Sequence, residues 1–176
     1  MELVEVRSVL SRTPDVVRTL LDGLPDDWVH RNDGSGTWSA YDIVGHLILG
    51  DDTNWLPRMR MILEYGTQRS FDSFDREAML RWEREDSETL VARFRDTRHA
   101  SVDELTSLQL ADDDLNRRGR HPQFGDLSLG QLLATWAAHD LTHLAQITEV
   151  LARRFRDDVG PMRAFMPALD EVAAAE

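Results

Sequence analysis

Residues 128–155 read SLGQLLATWAAHDLTHLAQITEVLARRF, and the spacing of this stretch decides the fold. Ser128 followed three residues later by Gln131 is a capping-box pattern, in which two side chains satisfy orphaned backbone N–H groups at a helix start. Apolar residues then recur at helical spacing to about Phe155, and Gly160-Pro161 stops the helix beyond it. On a wheel of about 100° per residue, Leu132, His143, Gln146 and Val150 fall within about 40° of His139. Trp136, Leu129 and Ile147 lie only a little further round. Both histidines therefore occupy the apolar face, where an inward polar tip has to find a partner. The His139-x-x-x-His143 spacing stacks two imidazoles one turn apart, with Cβ atoms about 5–6 Å from each other. Each can reach a single ion at about 2.0–2.1 Å, the usual zinc–nitrogen distance.

Working outward, the punctuation marks further helices. A short helix is expected over Glu2 to Leu10, and Thr13-Pro14 reads as an N-cap with proline at the first position of a second stretch, Asp15 to Leu24. Pro25 and Asp33-Gly34-Ser35-Gly36 form a loop. Ser39 and Asp42 repeat the capping-box pattern at the start of a long helix reaching about Leu63, with a kink expected at Pro57. After Gly66, a third long helix is expected from about Asp75 to Arg98, extended or followed by Ser101 to Leu110. Residues 111–127 read as loop. No strand-like alternation and no internal repeat stand out. Four main helices in a chain of 176 residues predict an all-α fold, an antiparallel four-helix bundle formed by a single domain over residues 1–176, with a short tail ending in Ala-Ala-Ala-Glu.

His46 lies on the second long helix, neighboured round the wheel by Ile43, Gly50 and Asn54, and Gly50 leaves room beside it. That placement permits a third ligand from across the bundle. Three protein ligands with an open position are the pattern of a catalytic zinc site. His30 in a loop, His99 at a helix C-terminus and His121 before a proline read as structural or solvated. Gln146, on the ligand face, is a candidate catalytic residue that can hydrogen-bond a bound water or a substrate, and it is equally a polar residue at the bundle mouth. Asp42 can orient His46 or simply cap its helix. Asp140, about 100° from His139, is expected to meet solvent or a helix neighbour. Trp38, Trp55 and Trp136 line a pocket or fill the core. The runs Asp51-Asp52, Asp112-Asp113-Asp114 and Asp157-Asp158 read as solvated faces and loops.

Composition narrows the chemistry. There is no cysteine, which excludes disulfides, protein thiolate nucleophiles and iron–sulfur ligation. All 20 basic residues are arginine, which excludes a Schiff-base lysine and a phosphate-loop lysine. A net charge of −12 argues against a nucleic-acid partner. No apolar run reaches the length of a membrane span, and the opening MELVEVRSVL carries acids within its first apolar run, unlike a secretory signal. A cytoplasmic protein is the expectation.

The segments Trp38-Ser39-Ala40-Tyr41-Asp42-Ile43-Val44-Gly45-His46, Gly125-Asp126-Leu127-Ser128-Leu129 and Ala138-His139-Asp140-Leu141-Thr142-His143-Leu144-Ala145-Gln146-Ile147 together resemble the DinB-like, or damage-inducible, family of metal-binding four-helix bundles. The match in order and spacing runs from about Thr13 to Leu169; the stretch from Asp75 to Arg98 matches in length and position alone. The resemblance implies an up-down-down-up bundle with a long crossover, often dimeric. It also implies that His46, His139 and His143 bind nickel or zinc, with water in the open positions. The better understood branches of the family are bacillithiol or mycothiol S-transferases and a mycothiol-dependent isomerase, acting on small molecules. Other members are described only as metal-dependent hydrolases.

Two mechanisms suit three neutral imidazoles around an ion. A low-molecular-weight thiol cosubstrate can be activated as its thiolate, or a water can be activated for hydrolysis. Hydrolysis wants a general base beside the water, and no carboxylate in the sequence is an evident one. The expectation therefore leans to thiol S-transfer. A metal-dependent hydrolase and a non-catalytic metal- or ligand-binding bundle are the alternatives.

Overall fold

A computed structural model describes residues 2–170; the expected Ala-Ala-Ala-Glu tail lies outside them. Its helices are α1 (Leu3–Leu21), the short α2 (Asp26–His30), α3 (Ala40–Gly50) continued through a π turn (Asp51–Trp55) into α4 (Leu56–Tyr65), α5 (Ser87–Ser107) and α6 (Leu129–Ala152). A small hairpin pairs β1 (Arg118–His121) with β2 (Gly125–Ser128).

Two apolar clusters stacked along the bundle fix the direction of every helix. One gathers Val17 and Leu21 of α1, Ile43 to Ile48 of α3, Leu90 and Phe94 of α5, and Ile147 and Val150 of α6. The other gathers Val6 and Leu10, Trp55 to Ile62, Leu105, and Leu129 to Trp136. Helix α1 therefore runs from the second cluster to the first, α3–α4 and α5 run back, and α6 returns: up, down, down, up. Helix α1 packs against α5 and α6, as does α3, which places α1 and α3 on a diagonal. Since α3–α4 and α5 point the same way, the chain has to cross the length of the bundle between them, as the resemblance implied and a simple antiparallel bundle does not require. Residues 66–86 make that crossover, Phe71 packing in the second cluster and Phe74 and Met79 in the first.

Several local expectations are corrected. The break at Thr13-Pro14 does not occur, and Pro14 sits buried inside one long α1. A proline there leaves the carbonyl of Leu10 without its helical donor, and the Arg98 guanidinium supplies one, Nη1 donating at 3.3 Å. A π turn stands just before Pro57 and widens the helix where the proline N–H is missing, a local change that the kink expected there did not specify. The third long helix begins at Ser87, where Asp86 accepts a hydrogen bond from the Thr89 amide at 2.8 Å, and it extends to Ser107. The hairpin was not anticipated because its one buried strand residue is Gly119. A Cβ there would come within 2.5 Å of Ile62, so β1 carries no apolar alternation to read. His30 ends α2, and His99 lies exposed in the middle of α5 rather than at a helix C-terminus.

Candidate metal centre

The histidines are positioned by helix starts. Ser39 and Asp42 close the capping box, Ser39 N donating to Asp42 Oδ2 at 2.9 Å and Asp42 N to Ser39 Oγ at 3.2 Å. This anchors the first turn of α3, and His46 follows one turn deeper in the core, 4% exposed. Among the described residues Asp42 makes no hydrogen bond to His46; its second oxygen accepts from Arg84 Nη2 at 2.7 Å. The His46 ring is oriented instead by the crossover, Nδ1 donating to the Arg76 carbonyl at 3.0 Å. From α6, His143 Nδ1 donates to Gln146 Oε1 at 2.8 Å. Gln146 thus acts on the ring of His143, a partner that its place on the ligand face did not reveal.

These two hydrogen bonds fix the ring proton of His46 and of His143. An imidazole that donates through Nδ1 carries a lone pair at Nε2. His46 Nε2 and His143 Nε2 each lie 3.1 Å from His139 Nε2. Nitrogens held at about 2.0–2.1 Å from one ion lie about 2.9 Å apart at a right angle and about 3.4 Å apart at the tetrahedral angle. The observed spacing falls between those values. One ligand atom from each histidine lies within 4.8 Å of the others. Nδ1 of His139 is buried with no partner among the described residues; a proton carried there would leave its Nε2 lone pair for an ion. The donor set fits a divalent ion that prefers nitrogen ligands.

Burial, reinforced by the neighbouring His143, pushes the His46 pKa down to about 4. Burial and the charges of His143, His46 and Arg98 push His139 to about 2. Burial also lowers His143, against Gln146 and Asp140, which raise it. All three are neutral at pH 7 and offer lone pairs without displacing a proton.

Aromatic rings wall the centre. Trp38 lies 4.8 Å from His46 and 6.2 Å from His143, Phe74 6.0 Å from His46, and Trp55 5.0 Å from His139, between centroids. Gly50 does not leave open room beside His46: a Cβ there would stand 3.0 Å from the Trp55 indole nitrogen. Trp136 is buried core, stacked on Trp55 at 5.9 Å.

Asp51, expected on a solvated face, is buried instead, and of the two surroundings expected for Asp140 it has the helix neighbour and not solvent. Asp140 and Asp51 are 0% and 2% exposed, and both bind the fully buried Arg98. Arg98 Nε donates to Asp51 at 2.6 Å and Nη2 at 3.0 Å; Nη2 also donates to Asp140 at 3.1 Å, and Nη1 to Asp140 and to Leu10 O. The sequence did hold a signal for Arg98, which occupies the inward stripe Leu90, Phe94, Ser101, Leu105 of α5. Arg76 left none, since it acts through its backbone. Of the other histidines, His30 stacks on Tyr41 at 4.4 Å, and His121 Nδ1 accepts from the Gln123 and Phe124 amides in the hairpin turn. Neither joins the centre.

Comparison with known proteins agrees with the geometry. The family described as the DinB superfamily matches residues 10–147. No curated protein matches the sequence. Among solved structures, YfiT from Bacillus subtilis is similar with a TM-score of 0.74 and 19% identity, over 88% of this chain and 90% of that one. It is described as a probable metal-dependent hydrolase with an unusual four-helix bundle topology. Among the described residues, no helix is long and apolar enough to cross a membrane.

Proposed function

The chain belongs to the DinB superfamily, and from that premise we propose that it is a divalent-metal-dependent enzyme, with His46, His139 and His143 as ligands and a small thiol as cosubstrate. The observation that carries the reading is the convergence of the three Nε2 atoms, with two of the rings locked as Nδ1 donors. A bound zinc or nickel ion would supply Lewis acidity, lowering the pKa of a coordinated thiol or water. The chain's own contribution is to hold three neutral imidazoles in place and to wall the ion with Trp38, Trp55 and Phe74, which limits water.

The preference for a thiol rests on the acids. Asp42, Asp51 and Asp140, the carboxylates nearest to the ligands in the chain, are each committed to an arginine. None is left to act as general base for a water. Gln146, spent on His143, serves as a positioning residue. The likeness to YfiT supports a second reading, metal-dependent hydrolysis of a small molecule.

Metal analysis of untagged protein, reconstituted with zinc or nickel, should find about one equivalent per chain, lost in His143→Ala. A screen of small thiols with monochlorobimane should then give a thiol-dependent rate that His143→Ala abolishes. A rate on esters without any thiol, equally sensitive to the substitution, favours hydrolysis. Loaded protein with neither rate leaves a binding role, and protein that retains no metal removes the proposal.

A further inference from the structure

The π turn changes which residues of α4 face the centre. Counted along an unbroken α-helix, Asn54 and Arg58 stand about 80° and 120° round from His46. A π turn absorbs one extra residue, which turns each back by about 100°, to about 20° on either side of His46. The turn at Asp51–Trp55 thus draws His46, Asn54 and Arg58 into one row.

Both added residues carry unused polar capacity. Asn54 is 5% exposed, and its Oδ1 is buried with no hydrogen-bond partner among the described residues. A buried carbonyl oxygen left without a donor is costly, and a ligand is one way to satisfy it. Arg58 is half-buried, and among the described residues it has no ion pair and no hydrogen bond. Its contacts are with ring faces, Cζ lying 5.3 Å from the Phe71 centroid and 6.0 Å from that of Phe74. Phe74 is itself 6.0 Å from the His46 ring, so Cζ is no further than about 12 Å from that ring, the sum of the two distances. Burial depresses the Arg58 pKa, and its charge helps to keep His121 at the hairpin end neutral. Stacking uses the faces of a guanidinium and leaves its N–H edge free for a bidentate partner.

We propose that Arg58 forms a subsite for a carboxylate on the small molecule that reaches the histidine centre, the guanidinium pairing with the carboxylate and the Asn54 carbonyl oxygen accepting from an N–H or O–H group elsewhere on the same molecule. This rests on the reading of the centre as a metal site, and it names the class of ligand that site takes.

The test compares 3-mercaptopropionate with its neutral amide on cobalt-loaded protein, following the sulfur-to-cobalt charge-transfer band. The carboxylate should bind about tenfold more tightly at low salt, the scale of one charged hydrogen-bonded contact. Arg58→Gln should bring the two affinities together by weakening the carboxylate alone. A second arm needs no metal: glutarate, but not glutaramide, should raise the melting temperature of the metal-free protein, and Arg58→Gln should cancel the gain. If cobalt fails to load, the metal reading fails, and if it loads but no thiol gives a band, the thiol reading fails; in either case the glutarate arm still judges Arg58. No preference for the charged probe in wild type, or a preference that survives Arg58→Gln, overturns the subsite.

Discussion

Two polar clusters lie in the core of this bundle, and they are solved in opposite ways. Around Arg98, all five N–H groups have partners: two carboxylates and the carbonyl that Pro14 leaves free. The cluster draws on α1, the π turn, α5 and α6, so it ties the four long segments of the bundle together. Around His139, the Nε2 atoms of three histidines converge, and Nδ1 of His139 has no partner among the described residues. One cluster is complete without a ligand; the other leaves buried polar capacity unused. Buried polar groups are normally satisfied within the protein, so the contrast is the one expected between a structural device and the metal centre proposed above.

The sharpest way to break the contrast is to remove Arg98. Arg98→Met strands two buried carboxylates and the Leu10 carbonyl, and should destabilise the fold by about 3–5 kcal/mol in urea denaturation. Combining it with Asp51→Leu and Asp140→Leu should recover much of that loss, since an apolar replacement removes the unpaired charges as well. A single Arg98→Met as stable as wild type would show that the cluster does not hold the helices.

The histidine centre should respond the other way. At zinc a hundredfold above its dissociation constant, wild type should gain about 2.7 kcal/mol, and His139→Ala should gain nothing. Without metal, His139→Ala should fold at least as well as wild type, because it removes an unsatisfied buried nitrogen. Calorimetry with and without chelator measures both. An effect of similar size follows for Gln146→Leu. Losing the partner that fixes the His143 tautomer should weaken metal binding about 10–100-fold with the fold unchanged; unaltered affinity in a zinc competition assay would return Gln146 to the bundle rim.

These two clusters also differ in how far the sequence announces them. His139 and His143 declare themselves through a four-residue spacing on an apolar face. The helices that carry the centre show both capping boxes, Ser39 with Asp42 and Ser128 with Gln131, as read. The Arg98 cluster is spread over positions 10, 51, 98 and 140, and each member alone reads as an ordinary charged residue; only the inward stripe of α5 hints at it. The same limit explains the misplaced break at Pro14 and the unforeseen π turn before Pro57. A proline reads as a break from local rules, and here a distant arginine and an added residue in the turn accommodate it. Asp42 was legible as a cap and ambiguous as a partner of His46, because Arg84 and the Arg76 carbonyl arrive from residues whose spacing carries no signal.

Acid separates the clusters most finely. His46 and His139 are pushed from 6.5 to about 4 and about 2, chiefly by burial, so below pH 6.5 the unfolded chain takes up protons that the folded chain refuses. Stability is therefore lost as pH falls from 6.5 towards 4, by about 1.4 kcal/mol per pH unit for each histidine. Asp51 has the opposite sign. Burial lifts its carboxyl from 3.8 to about 6, so the folded state binds that proton first, and stability is gained as pH falls from 6 towards 3.8. In metal-free protein, His139→Ala should flatten the acid side of the profile by about 1.4 kcal/mol per pH unit between 6.5 and 4, measured by urea denaturation across that range. An unchanged slope would mean that His139 does not remain neutral in the folded chain, and the three lone pairs on which the centre depends would then not be available together.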